Sequence, residues 1–270
     1  MASVKLPGVV ASGIARVNFE LKSFFGDPAA VVFTLVFPVL LLVVFGSVFT
    51  DSEMPGGVSF SQYFTAGMIA SGVLYTAFQG LVINLAQERQ DGTLKRLGGT
   101  PMPKSAFFVG KIGLYAVLYV AQVAILLGIG IALFGLSLPD SAFKWFTFVW
   151  ISVVSLVAWT LLGVAFSVVP KSSRAASAIV TPIVLVLQFT SGVFFVYNEL
   201  PEWMQQFAAV FPLKWMSQGM RSVFLPETYE TAEVGGGWEL PMVALVLGLW
   251  ALVGLVLALA FFRWTPRGQR

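Results

Sequence analysis

The sequence predicts an all-α membrane protein with six transmembrane helices, and three observations carry that prediction. The first is composition. Of 270 residues, 57% are apolar and 11% charged, and mean hydropathy is +0.86, whereas a soluble domain carries about 25% charge. So little charge cannot cover a globular surface with solvated groups, so a bilayer is the expected solvent. The second is a series of apolar runs separated by short polar breaks. At about 20 residues per crossing, the length suits about six spans. The third is charge asymmetry. With the N-terminus, the loops after spans two and four, and the C-terminus on one side, that side holds Lys5, Arg16, Lys22, Arg89, Lys95, Arg96, Lys104, Lys111, Lys171, Arg174, Arg263, Arg267 and Arg270. Only Lys144, Lys214 and Arg221 fall on the other side, together with nine of the 13 acids. The positive-inside rule then puts both termini in the cytoplasm.

The elements follow in order. Residues 8–26 form an amphipathic interfacial helix, with Val10, Ile14, Val17, Leu21 and Phe24 on one face and Arg16 and Glu20 paired at i,i+4. Asp27-Pro28 then caps and starts a new helix. Span one covers about 29–49, and Pro38 should kink it. Asp51 to Ser61 is a short acidic turn. Span two covers about 60–85, with neutral Gln79 and Asn84 inside. Residues 87–105, QERQDGTLKRLGGTPMPKS, form a charged loop whose Gly and Pro residues forbid one continuous helix. Spans three, four and five cover about 112–134, 145–169 and 175–197. Residues 198–239 form an external region. Its segment Leu200–Pro212 is helical in pattern but too short to span, hence interfacial or re-entrant. Glu227, Glu230 and Glu233 read as exposed loop. Span six covers about 240–262. Trp145, Trp203, Trp215 and Trp238 sit near span boundaries as belt anchors.

Several classes of chemistry are excluded. The chain has no Cys and no His, which argues against disulfides, thiolate chemistry, zinc sites and imidazole catalysis. The spans as bounded hold no Asp, Glu, Lys or Arg, which argues against an ion-coupled carrier or an intramembrane hydrolase. No G-x-x-x-x-G-K-[ST] occurs, so this chain binds no nucleotide through a Walker loop. The net charge of +3 belongs to positive cytoplasmic loops rather than to nucleic-acid binding.

Glu88-Arg89-Gln90-Asp91-Gly92-Thr93-Leu94-Lys95-Arg96-Leu97, followed by Thr100-Pro101, resembles the cytoplasmic signature of ABC-2 type permeases, the membrane subunits of ATP-binding-cassette exporters. Gly26-Asp27-Pro28 leading to Phe37-Pro38 and Phe45-Gly46 is similar to that family's first span. Leu200-Pro-Glu-Trp-Met204, Pro212-Leu213 and Arg221 are similar to its external re-entrant segment. The resemblance implies a type V exporter fold. A cytoplasmic coupling helix would follow span two, and a second permease subunit would complete a homodimer or heterodimer. A separate cytosolic ATPase would bind ATP and Mg, leaving no cofactor on this chain.

In that frame Glu88 and Arg89 make charge-assisted bonds to the ATPase or to the N-terminal helix. Gly92 turns the chain. Thr93, Leu94 and Leu97 form a short helix with an apolar knob, and Thr100-Pro101 ends it. The implied substrate path runs along the dimer seam past Phe33, Phe37, Tyr63, Phe64, Tyr75, Phe78, Gln79, Gln188 and Phe189. Aromatics with a few neutral polar groups suit lipophilic or amphipathic cargo such as drugs, antibiotics, lipids or peptides. A polysaccharide or teichoic-acid exporter of the same fold, and a membrane scaffold or channel without an ATPase, are the alternatives.

Overall fold

The computed structural model describes residues 8–49 and 53–262. Lys5, Asp51, Arg263, Arg267 and Arg270, counted in the charge asymmetry, lie outside them. The chain opens with α1 (Val9–Phe25). Asp27 then caps α2 (Pro28–Val31), its side chain accepting from the amides of Ala29 and Ala30 at 3.0 and 3.1 Å. A π-helical turn, Val32–Val36, leads into α3 (Phe37–Val48). Pro38 has no N–H to donate to the turn before it, and the wide turn lies over that stretch. A two-residue hairpin, β1 (Glu53–Met54) with β2 (Val58–Ser59), joins span one to span two.

Span two consists of α4 (Phe60–Val73), a second π-helical turn at Leu74–Gly80, and α5 (Leu81–Gln90). Then come α6 (Thr93–Gly98) and α7 (Lys104–Phe134), the third span. Spans four and five are α8 (Ala142–Phe166) and α9 (Ser173–Thr190). Two short helices, α10 (Glu202–Ala209) and α11 (Pro212–Phe224), precede the last span, α12 (Leu240–Phe261). Among the described residues six helices are long and apolar enough to cross a membrane.

Span two is the axis of the bundle. Every residue of α4 except Gln62 is buried, and α3, α7, α8 and α11 pack around it. The other spans turn apolar side chains outward, as lipid-facing helices do. α12 lies along α8, and α1 lies along α7.

Four expectations are corrected. The helices of spans two and three overrun the charge-free bounds, at 31 residues for Phe60–Gln90 and 31 for α7. Each is about 46 Å long, against about 30 Å of hydrocarbon. They therefore carry Glu88, Arg89 and Lys111, while α8 begins early enough to include Lys144. Span five ends at Thr190, not 197, because the chain turns at Gly192. α1 packs against the bundle through Gly13, Arg16 and Glu20, with Val10 and Ile14 pointing outward to where the expected interface would lie. Glu233 and Trp215 are buried rather than a loop acid and a belt anchor. Trp215 packs inside and donates from Nε1 to the carbonyl of Ala209 at 2.7 Å, satisfying an open carbonyl in the last turn of α10.

Candidate coupling site

The signature residues sit at the C-terminal end of span two. Gln87 to Gln90 continue α5, so the break before α6 is only Asp91-Gly92, and a second break, Gly99 to Pro103, precedes α7. Gly92 has φ +71°, a left-handed conformation in which a Cβ is strained, and it redirects the chain into α6. Leu94 is fully buried in the subunit's own core, with Leu97 half-buried beside it. Leu94 therefore seats α6 instead of projecting as a knob, correcting that expectation. Thr93 is half-buried; the outward side carries Lys95, Arg96, Thr100 and Pro101. Thr100 donates its hydroxyl to the carbonyl of Leu97 at 2.7 Å and closes the helix.

Three consecutive residues tie the root of α6 to four neighbouring helices. Arg89 donates to the carbonyl of Ser167, the C-cap of α8, where open carbonyls favour a cation. Gln90 accepts from the amide of Ser173 at 3.2 Å, at the start of α9. Glu88 turns the other way, into a closed ring of ion pairs. Its Oε1 lies 3.0 Å from Arg16 and 2.9 Å from Lys111. The Oε1 of Glu20 lies 2.6 Å from Arg16 and 2.8 Å from Lys111. Each cation bridges both acids and each acid bridges both cations, so the ring is neutral. Lys111 is 1% exposed and also donates to the side chain of Asn84.

The ring depends on close helix packing. At Gly110 of α7 a Cβ would lie 2.2 Å from Cγ of Arg16, and at Gly113 one would lie 2.4 Å from Cγ2 of Val17. Any side chain at these two positions would push α1 off α7. Sequence reasoning assigned Arg16 and Glu20 only to each other and Lys111 only to topology. A basic residue one position outside a span is read equally well as a positive-inside charge, so no signal along the chain distinguishes the two.

The residues of the expected substrate path fall into two groups. Tyr63, Phe64, Phe78 and Gln188 are buried within the subunit. Phe64 stacks on Phe45 at 5.1 Å, and Phe78 packs on Trp159 at 5.4 Å. Phe33, Phe37 and Phe189 face outward on spans one and five, Phe33 at 70% exposure. Gln79 lies between, half-buried. Two polar links join the π turn of span two to span five: Tyr75 donates to Gln188 at 2.8 Å, and Gln79 donates to Thr181 at 3.1 Å. Beside Phe189, Val186 and Thr190 of α9 face Trp203, Met204 and Phe207 of α10 across an open apolar groove of about 310 Å³.

At the opposite end of the bundle Arg221 of α11 is fully buried and forms a bidentate pair with Glu233. Burial works to lower its pKa, and Glu233 overrides it, holding the group above its ordinary value. The Tyr63 ring lies 5.2 Å from the guanidinium. The Tyr63 hydroxyl accepts the amide of Tyr197 at 3.0 Å. This clamp joins the outer end of span two to the segment between spans five and six.

A protein-family model described as ABC-2 type transporter matches residues 14–225. The chain is similar to the probable doxorubicin resistance ABC transporter permease protein DrrC of Mycobacterium tuberculosis, 24% identical over 97% of this chain and 95% of that protein. It is also similar to the inner membrane transport permease YadH of Escherichia coli, 25% identical over 71% of this chain and 75% of that protein. A third similar protein is the putative transport permease ycf38 of Porphyra purpurea, 23% identical over 73% of this chain and 68% of that protein.

Proposed function

The chain belongs to the ABC-2 type transporter family, and from that premise we propose that it exports lipophilic or amphipathic small molecules. It is a multi-pass membrane permease, not itself an enzyme, and works with a separate ATP-binding subunit. That subunit binds ATP and Mg; this chain binds neither. Both termini lie in the cytoplasm of a bacterial or archaeal cell. The ATPase docks on the outward face of α6, where Lys95 and Arg96 offer positive charge to an acidic groove.

The observation that carries this reading is the root of α6. A six-residue helix with an exposed basic face is fastened through Glu88, Arg89 and Gln90 to α1, α7, α8 and α9. A loop that only satisfied the positive-inside rule would need no such fastening. The cargo class follows from the outward faces of spans one and five, where Phe33, Phe37 and Phe189 lie, and from the apolar groove beside Phe189. A second permease subunit covers those faces. The name of the mycobacterial relative makes doxorubicin the first cargo to try.

The test is affinity capture of the detergent-solubilised chain from its own cells, with the bound proteins identified by mass. A stoichiometric Walker-loop ATPase is expected, retained by wild type and lost when Lys95 and Arg96 are both changed to Glu. Capture of no nucleotide-binding protein in mild detergent would sink the exporter reading.

A further inference from the structure

Span two cannot carry a displacement of α6 rigidly across the membrane. Its inner segment α5 meets its outer segment α4 at the π turn Leu74–Gly80. Such π turns are places where helices bend and often mark functional positions. α4 is moreover held in place, enclosed by α11 and pinned by the Arg221–Glu233 clamp through Tyr63. The third span is different. α7 runs 31 residues from Lys104 to Phe134 as α-helix throughout. Its outer end packs the Phe134 ring where a Cβ on Gly46 of α3 would lie, at 2.7 Å.

Lys111 is the one residue of α7 in the ion-pair ring, and its ammonium bridges Glu88 of α5 and Glu20 of α1. The ring is neutral only while closed. Withdrawal of Glu88 would leave Arg16, Glu20 and Lys111 as a buried cluster of net positive charge, a state costly enough to resist opening. The link between α5 and α7 is therefore stiffer than the joint between α5 and α4.

Resting on the exporter reading, we infer that Lys111 is a positioning residue that makes α7 move with α6, so that nucleotide-driven displacement crosses the membrane along the third span while span two flexes at Leu74–Gly80. A partner of general chemistry suffices: any cytosolic ATPase that pushes on α6. The claim concerns which helix follows.

The chain has no cysteine, so introduced cysteines can carry spin labels cleanly. The complex with its ATPase is purified and reconstituted, and distances are measured before and after trapping with ATP and vanadate. The pair Gly99→Cys with Leu133→Cys joins the exposed end of α6 to the exposed outer end of α7; Gly99→Cys with Gln206→Cys joins α6 to exposed α10. The first distance is expected to hold and the second to change. In Lys111→Met the first distance changes as well, and doxorubicin export per ATP falls about tenfold, while ATPase capture and hydrolysis persist.

Should Lys111→Met fail to fold, the Glu88→Gln/Lys111→Met double variant keeps the cluster neutral, cuts the same link and gives the same readout. A wild-type α6-to-α7 distance that shifts as much as the α6-to-α10 distance overturns the inference, as does unchanged export per ATP in either variant. If neither distance changes in a complex that exports, the coupling role of α6 falls too. If no ATPase is captured, the exporter reading has failed before Lys111 is tested.

Discussion

At the scale of single residues, charge balance decides most outcomes. Lys111→Met leaves two buried acids facing Arg16 alone, and a buried pair broken on one side costs about 3–5 kcal/mol. Glu88→Gln/Lys111→Met leaves the Arg16–Glu20 pair neutral and should cost less than either single change. Thermal unfolding of the solubilised chain checks this, and a double variant as unstable as the sum of its parts would refute it. Lys214, at the outer end, is a second case. Its ammonium lies 3.4 Å from the centre of the Trp215 ring, and burial pushes its pKa down to about 8 against the pull of Glu239. An unfolded Lys titrates near about 10.4. Between those values the unfolded chain binds more protons, so stability rises with pH from about 8 upward. Below about 8 both states are charged and the desolvation cost is complete. Melting temperature is expected to climb between roughly pH 8 and pH 10, and Lys214→Met should flatten that climb.

At the scale of elements, two glycine positions control the packing around α6 and α7. Gly110→Val would collide with Arg16 and push α1 away from α7, costing about 1–3 kcal/mol as overpacking. Limited proteolysis should then cut α1, and protection equal to wild type would mean the seam is looser than described. Gly92→Val forces a β-branched residue into the left-handed region at about 1–2 kcal/mol. The expected result is weaker ATPase capture with spans one to six intact. The elements differ in how legible they were. Apolar runs and the Asp27-Pro28 restart come straight from hydropathy and capping chemistry, and the short helix after Gly92 came from the family resemblance. α11 did not, because Lys214, Ser217, Gln218 and Arg221 make it look like solvated loop. Its polarity is satisfied by partners remote in sequence: Glu233 for Arg221, and the carbonyls of Gly237 and Trp238 for Gln218. Of the ring's four pairs, Arg16–Glu20 and a partner for Glu88 on the N-terminal helix were legible, whereas both Lys111 pairs were hidden, Lys111 meeting Glu88 across 23 positions and Glu20 across 91. Hydropathy reports which residues leave water, not which distant charge awaits them.

At the scale of the whole molecule, the subunit is a bundle built around span two and fastened at both ends by ion pairs, the Arg16–Glu20–Glu88–Lys111 ring at one and Arg221–Glu233 at the other. If both fasteners report on one cooperative unit, Glu233→Gln should lower the melting temperature as measured both from a label on α1 and from the intrinsic tryptophans. Separate transitions would show two independently melting halves. The buried setting of α11 also constrains how the chain is made. α11 is too short and too polar to enter lipid by itself, and its resting place is walled by α8 and by α12, where Val243 closes on Gly219. α11 precedes α12 in the chain, so it is synthesised before the helix that completes its enclosure. A nascent chain halted short of Leu240 would display that segment to membrane quality-control proteases. A chain truncated before Leu240 is therefore expected to be recovered in lower yield than the full chain, because α11 would lack the wall that α12 supplies.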